Sequence, residues 1–172
     1  MLELGSRYDL SVLKVAIVDD HLSIRTMYTA ILKAFGIRAV TAHADPAKAC
    51  EAMRVFPPDL LFLDWDMGPP DGLEVLKWIR TSGACADPGM AVIMLTGYGD
   101  VARVKAARDA GANSFLVKPV SARALYARIA SVIEDKRSFV RTGAYFGPDR
   151  RWRELALNED QDDRRASPVP SP

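Results

Sequence analysis

Residues 59–80 read DLLFLDWDMGPPDGLEVLKWIR, and this stretch decides the fold. Asp59–Leu63 is a short, nearly unbroken apolar run that ends in Asp64. Such a run suits a strand covered on both faces. Further on, Leu73, Leu76 and Ile79 recur at helical spacing behind Asp71. Asp is a residue type whose carboxylate accepts hydrogen bonds from the free N–H groups of a helix start. A buried strand followed by an amphipathic helix is one unit of a βα repeat.

The alternation extends in both directions. Val12–Val18 is an apolar run ending in Asp19-Asp20, followed by Ile24, Met27, Tyr28, Ile31, Leu32 and Phe35 along one helical side and by Gly36, a helix stop. Ile37–Ala42 reads as a weaker strand; Asp45-Pro46 then supplies a cap and a first-turn proline, and Pro57-Pro58 ends that helix. On the other side, Ala91–Leu95 ends in Thr96. Gly99-Asp100 opens a helix whose apolar residues are Val101, Val104 and Ala107, closed by Gly111. Ser114–Val117 ends in Lys118-Pro119, a pair that favours a fixed turn and a cis bond. Ser121 caps a last helix carrying Leu125, Ile129, Val132 and Ile133. Five strands alternating with five helices predict a parallel α/β sheet, doubly wound with right-handed crossovers.

Composition narrows the class without naming a job. A chain of 172 residues is one domain of ordinary size with an appendage. With 23 basic and 22 acidic residues, bulk charge does not hold it to nucleic acid or an anionic membrane. Cys50 and Cys85 are too few for a disulfide scaffold and lack metal-site spacing; they read as a small apolar residue and a loop thiol. The N-terminus carries acids and no signal-peptide core, and no apolar run approaches the ~18 residues of a membrane span. The expectation is a cytoplasmic protein without membrane insertion.

Ligands of open α/β sheets bind outside the carboxyl ends of the strands. Four of the five predicted strands end in Asp19-Asp20, Asp64, Thr96 and Lys118, and the strand order 2-1-3-4-5 would bring these four ends to one edge. The second strand ends in Thr41-Ala42-His43, which reads as ordinary surface, and a lone Asp after a strand, such as Asp45, Asp71 or Asp100, as a cap. A trio of carboxylates ionises fully only beside a cation, and hard oxygen ligands with room for water suit Mg²⁺. A neighbouring ammonium and hydroxyl then suit a phosphoryl group.

The segments VAIVDDH (15–21), DLLFLDWDMGPPDGLEVLKWIR (59–80), VIMLTGYGD (92–100) and AGANSFLVKPV (110–120) together resemble the CheY-like receiver domains of two-component response regulators. The resemblance covers about residues 12–137 and implies a flavodoxin-like fold. It implies that Asp64 is the phosphoacceptor, that Asp19 and Asp20 bind Mg²⁺, Asp20 more directly, and that the backbone carbonyl of Asp66 adds a metal ligand. Thr96 and Lys118 would be the switch hydroxyl and the phosphate-pairing ammonium, and Phe115 the aromatic switch. The donor would be a histidine kinase or phosphotransfer protein. The target would be a protein read through the face of the fourth helix, fifth strand and fifth helix, with homodimerisation through those helices left open. Such a domain takes part in its own phosphotransfer and is not a turnover enzyme.

Two departures stand out. Met67 is followed by Gly68 rather than proline, with Pro69-Pro70 beyond, which predicts a looser loop. Asp66 and Tyr98 occupy positions that in such receivers tune acyl-phosphate hydrolysis, and a carboxylate at 66 can either orient water or repel the phosphoryl group. His21 follows the acidic pair closely enough to reach the site.

Two other readings remain. Asp64-Trp65-Asp66 resembles the DxD of haloacid-dehalogenase-type phosphatases, but those place it on their first strand. A phosphorylation-independent pseudo-receiver scaffold is disfavoured by the complete acid, Thr and Lys set. Residues 138–172 form an extension of 35 residues with six basic and six acidic side chains, fewer than a DNA-binding output module needs. The expectation is a stand-alone receiver without direct DNA binding. The stretch SFVRTGAYFGPDRRWREL (138–155) either folds its aromatics back onto the domain or docks a partner through Arg150, Arg151 and Arg153. Residues 158–172 are expected to be disordered.

Overall fold

A computed structural model describes residues 8–99, 101–135, 137–143 and 145–149. In chain order the elements are β1 (Lys14–Val18), α1 (Leu22–Ala34), β2 (Ala39–His43), α2 (Pro46–Met53), β3 (Leu60–Asp64), α3 (Gly72–Thr81), β4 (Ala91–Thr96), α4 (Val101–Asp109), β5 (Ser114–Val117), α5 (Ala122–Ile133), β6 (Phe139–Thr142) and β7 (Tyr145–Pro148). β1 to β5 form one sheet in the order β2-β1-β3-β4-β5, every pairing parallel. This is the doubly wound parallel sheet that the alternation predicted, in the flavodoxin-like form that the resemblance implied.

The central strand explains the layering. All five residues of β3 are buried, and because side chains alternate across a strand, its apolar residues feed two cores. Leu61 and Leu63 pack with Ala49 and Met53 of α2, Val75, Leu76 and Ile79 of α3 and Ala107 of α4. Leu60 and Phe62 pack on the opposite face with Tyr28 and Leu32 of α1 and Leu125 and Ile129 of α5.

The helix starts follow their caps. Asp45 accepts from the N–H groups of Ala47 and Lys48, and Ser121 from that of Ala124. Asp71 forms a reciprocal box: Glu74 N–H donates to its carboxylate at 2.8 Å, and its own N–H donates to Glu74 at 2.9 Å. Gly36 and Gly111 end α1 and α4 in the left-handed region, at φ 90° and 93°. In each case the residue after the glycine reaches back to the helix: Ile37 N–H donates to Leu32 O at 3.2 Å, and Ala112 N–H to Ala107 O at 3.0 Å.

Those contacts account for the boundaries that differ from expectation. Ile37 belongs to the cap of α1, so β2 begins at Ala39 rather than Ile37. Leu10–Val12 form a 3₁₀ turn capped by Asp9, so β1 begins at Lys14 rather than Val12. The valines of α4 are not its packing side: Val101 is 84% exposed and Val104 40%, and Ala107 is the buried residue of that helix. Asp100, expected at its start, lies outside the described residues. Cys85 lies in a loop, as expected, but is buried, and burial pushes its thiol pKa up. The Lys118-Pro119 bond is cis, as is Pro69-Pro70 in the loop expected to be loose.

β6 and β7 form an antiparallel hairpin beyond the α/β unit. Arg80, fully buried at the end of α3, donates to the carbonyls of Gly111 and Pro88 and to Asn113 Oδ1, while its guanidinium stacks 5.1 Å from the Phe139 ring. Burial pulls its pKa down to about 10. Phe139 in turn packs 5.5 Å from Phe146. Gly111 and Gly147 touch so closely that a Cβ on Gly147 would stand 2.7 Å from Gly111 Cα. The aromatic residues 139 and 146 therefore lie back against the α/β unit. Arg150, Arg151, Trp152, Arg153 and the terminal 158–172 lie outside the described residues.

Candidate functional site

Register brings the four polar strand ends together. Val18 lies opposite Leu63, Asp64 opposite Leu95 and Thr96 opposite Val117. Asp19-Asp20, Asp64, Thr96 and Lys118 thus share the carboxyl edge of β1, β3, β4 and β5. Asp19 and Asp64 are buried, at 0% and 1% exposure. The Lys118 ammonium reaches between them, with Nζ 2.6 Å from Asp19 Oδ2 and 2.9 Å from Asp64 Oδ1.

The two contacts are not equivalent. Lys118 makes a directed hydrogen bond to Asp19, whereas Asp64 Oδ1, buried and 2.9 Å from the same ammonium, receives no hydrogen bond. Asp19 is satisfied from both sides, because its Oδ1 accepts from the His21 N–H at 2.9 Å. Arg25 also donates to the Asp19 carbonyl. Asp20 faces outward and sits 2.6 Å from His21 Nδ1, so His21 does reach the acidic pair. Burial pushes the Asp64 pKa up, helped by the Asp19 charge and opposed by Lys118. Burial works against charge on Lys118 too, but Asp19 and Asp64 outweigh it and its pKa is raised. The cluster is therefore a pair of buried carboxylates held beside an ammonium.

The donor set fits a divalent metal. Asp19, Asp20, His21 and Asp64 each offer an atom, and these atoms lie within 4.8 Å of one another. Three of the four are carboxylates, and Asp64 Oδ1 is a buried acceptor short of a donor. Hard oxygens in that number suit Mg²⁺.

Gly72 keeps this edge tight. A Cβ there would stand 2.0 Å from the Asp64 carbonyl, so α3 starts directly against the backbone of the candidate nucleophile.

Asp66 goes elsewhere. Its side chain does not join the carboxylate cluster; Oδ1 lies 2.7 Å from Arg103 Nη1, and Oδ2 faces the Thr96 hydroxyl at 3.4 Å. Arg103 also donates to Thr96 Oγ1 at 3.0 Å and lies over the rings of Trp65 at 5.1 Å and Tyr98 at 4.9 Å. Sequence reasoning singled out Asp66 and Tyr98 and missed Arg103. Its only signal was being the first cation of the helix that follows Thr96. Phe115 is half-buried, and with Val104, Ala107 and Arg108 it lines a cavity of about 280 Å³ that Tyr145 and Pro148 of the hairpin help close. His43, expected as ordinary surface, is only partly exposed, and burial lowers its pKa. Among the described residues no helix is long and apolar enough to cross a membrane.

Residues 15–130 match the family model of the response regulator receiver domain. The cyclic di-GMP phosphodiesterase response regulator RpfG of Xanthomonas campestris pv. campestris (strain 8004) is 37% identical over 126 residues, covering 71% of this chain and 32% of that protein. The probable transcriptional regulator ycf27 of Cyanophora paradoxa is 36% identical over 120 residues, 70% of this chain and 48% of that one. The chain therefore spans about a third to a half of the length of these curated relatives. Among solved structures, Vibrio cholerae chemotaxis protein CheY4 aligns with a TM-score of 0.64 at 28% identity, covering 70% of this chain and 98% of that one. The sheet order, the acidic edge and these matches agree: the chain belongs to the response regulator receiver domain family of two-component signalling.

Proposed function

We propose that this protein is a phosphoacceptor in a two-component phosphorelay, with Asp64 as the residue phosphorylated. The observation that carries this reading is the buried Asp64 Oδ1, which lacks a hydrogen bond while lying 2.9 Å from Lys118. In the reaction a carboxylate oxygen of Asp64 attacks the phosphorus of a phosphohistidine presented by a histidine kinase or phosphotransfer protein. The P–N bond breaks, and its electron pair stays on the imidazole nitrogen. Lys118 offsets charge on the transferring oxygens without needing to move, because the β5 end already holds it there. Mg²⁺, held by Asp19, Asp20, Asp64 and the backbone carbonyl of Asp66, supplies further positive charge to the phosphoryl oxygens when bound. The chain is a partner in its own phosphotransfer and autodephosphorylation rather than a turnover enzyme.

Output follows from Thr96. Its hydroxyl, drawn to the new phosphoryl group, leaves space into which Phe115 turns, and the α4–β5–α5 face changes shape. The phosphoryl group biases this equilibrium only through contacts that differ between the two states. Exposed Tyr98, Val101, Val104 and Val117 give that face the apolar character a protein target would bind. We place this activity in the cytoplasm, exerted through protein contact. The test is incubation with acetyl phosphate and Mg²⁺: stoichiometric labelling that disappears in Asp64→Asn supports the reading, and undiminished labelling of that variant overturns it.

A further inference from the structure

We infer that Arg103 is a positioning residue that sets the lifetime of the acyl phosphate on Asp64, by restraining the Asp66 carboxylate and aiming the Thr96 hydroxyl. The inference rests on the phosphoacceptor reading of Asp64 and deepens it.

The hydroxyl of Thr96 has one proton and two lone pairs. Arg103 Nη1 donates to Oγ1 at 3.0 Å and the Tyr98 N–H at 3.2 Å, which occupies both lone pairs. Its contact to Asp66 Oδ2, at 3.4 Å, is long for an O–H donor. The proton is thus the one group Thr96 has left to give, and a phosphoryl oxygen on Asp64 is a stronger taker than a carboxylate already paired with a guanidinium. Arg103 therefore prepares Thr96 to donate.

The same guanidinium disposes of the ambiguity at position 66. Asp66 is 39% exposed, on the loop that leaves β3 two residues after Asp64, where an unpaired carboxylate would repel a phosphoryl dianion or accept a hydrogen bond from an attacking water. In hydrolysis the water oxygen bonds to phosphorus and the P–O bond to Asp64 breaks. The electron pair stays on the Asp64 carboxylate, and the water protons leave with the phosphate. A carboxylate beside that water assists the step. With Oδ1 held 2.7 Å from Arg103 Nη1, Asp66 is committed elsewhere. Stacking over Trp65, at 5.1 Å, and Tyr98, at 4.9 Å, holds the guanidinium in the plane that makes both contacts. Both polar contacts come from Nη1, so a lysine ammonium could replace them in part but would lack the guanidinium's contact with the two rings.

The experiment is a double-mutant cycle read as acyl-phosphate half-life. Full-length protein is charged with acetyl phosphate and Mg²⁺ and freed of donor by gel filtration, and inorganic phosphate release is then followed. Arg103→Ala is expected to shorten the half-life about fivefold, the scale of one lost charge contact at a partly exposed site. In an Asp66→Asn background the same change should cost less than about twofold, and Arg103→Lys should restore part of the loss. An unchanged or longer half-life in Arg103→Ala, or an equal shortening in both backgrounds, overturns the inference. Arg103→Gln, which keeps length and hydrogen bonding but removes charge, gives the same reading if the alanine variant fails to fold. Wild-type protein that takes no phosphoryl group at Asp64 refutes the phosphoacceptor reading itself, a different result from normal labelling with an insensitive half-life.

Discussion

Removing the Lys118 ammonium should leave a fold strained by its own acids. Asp19 and Asp64 are nearly inaccessible to solvent, and Lys118 is the cation set between them, at 2.6 and 2.9 Å. Deleting one partner of a buried ion pair costs about 3–5 kcal/mol, because the remaining charge can neither be solvated nor paired. For a chain of this size that corresponds to a fall in melting temperature of about 10 °C. The pH dependence has a definite sign. Lys118 has a raised pKa, so its stabilisation is fully present below 10.5 and is lost only as pH rises through its folded value, well into the alkaline range. Asp64 has a pKa raised above 3.8, so its ionised form costs stability above the folded value, and that cost disappears as pH falls toward 3.8. Lys118→Ala raises Asp64 further, so the gap from wild type should be widest near neutrality and narrow in acid. The assay is thermal unfolding of metal-free protein followed by circular dichroism from pH 4 to 8. A variant melting within about 2 °C of wild type at pH 7, or a gap that widens in acid, would refute the reasoning. Phosphoryl acceptance should survive in Lys118→Ala, while its affinity for the downstream partner should no longer respond to phosphorylation.

Arg80→Ala should cost about 3 kcal/mol, since the Gly111 and Pro88 carbonyls lose a buried donor and Asn113 Oδ1 keeps only the Val92 N–H. Residues 139–148 should then become protease-sensitive before the α/β unit does, whereas simultaneous cleavage would place the hairpin's anchor elsewhere. Asp71→Ala removes one half of the capping box and should destabilise the protein by about 1 kcal/mol, read in urea unfolding. Cys50, its pKa pushed up to about 11 by burial, should be roughly a thousandth ionised at pH 8. It and buried Cys85 should react with a thiol–disulfide exchange reagent only as fast as the protein opens; rapid modification of the native state would contradict their packing.

What could be read directly from the chain follows from periodicity. The apolar runs ending in Asp64, Thr96 and Lys118 are short because strands are short, and parallel pairing put their polar ends on one edge as expected. Asp45, Asp71 and Ser121 announced their helices because free N–H groups at a helix start need an acceptor. The misses have equally local causes. Ile37 is apolar whether it closes a helix or begins a strand, so hydropathy could not separate the two. The valines of α4 sit at helical spacing yet stay exposed or line a cavity, and Ala107 is the residue of that helix that is buried. Arg103 was invisible for another reason. Its role depends on two aromatic rings and a carboxylate brought to it from the loops after β3 and β4, which no spacing within α4 encodes. The hairpin's attachment likewise depends on Arg80, whose burial comes from contacts distant in sequence.

The most direct test is chemical location of the phosphoryl group. Full-length protein charged with acetyl phosphate and Mg²⁺ is reduced with borohydride, which converts an aspartyl phosphate to homoserine, and then digested and sequenced by mass spectrometry. Homoserine at position 64 alone, with none in protein lacking the phosphodonor, is the expected result. Homoserine at position 19, 20 or 66 instead, or none at all from protein that has demonstrably taken up phosphate, would contradict the assignment of Asp64 as the acceptor.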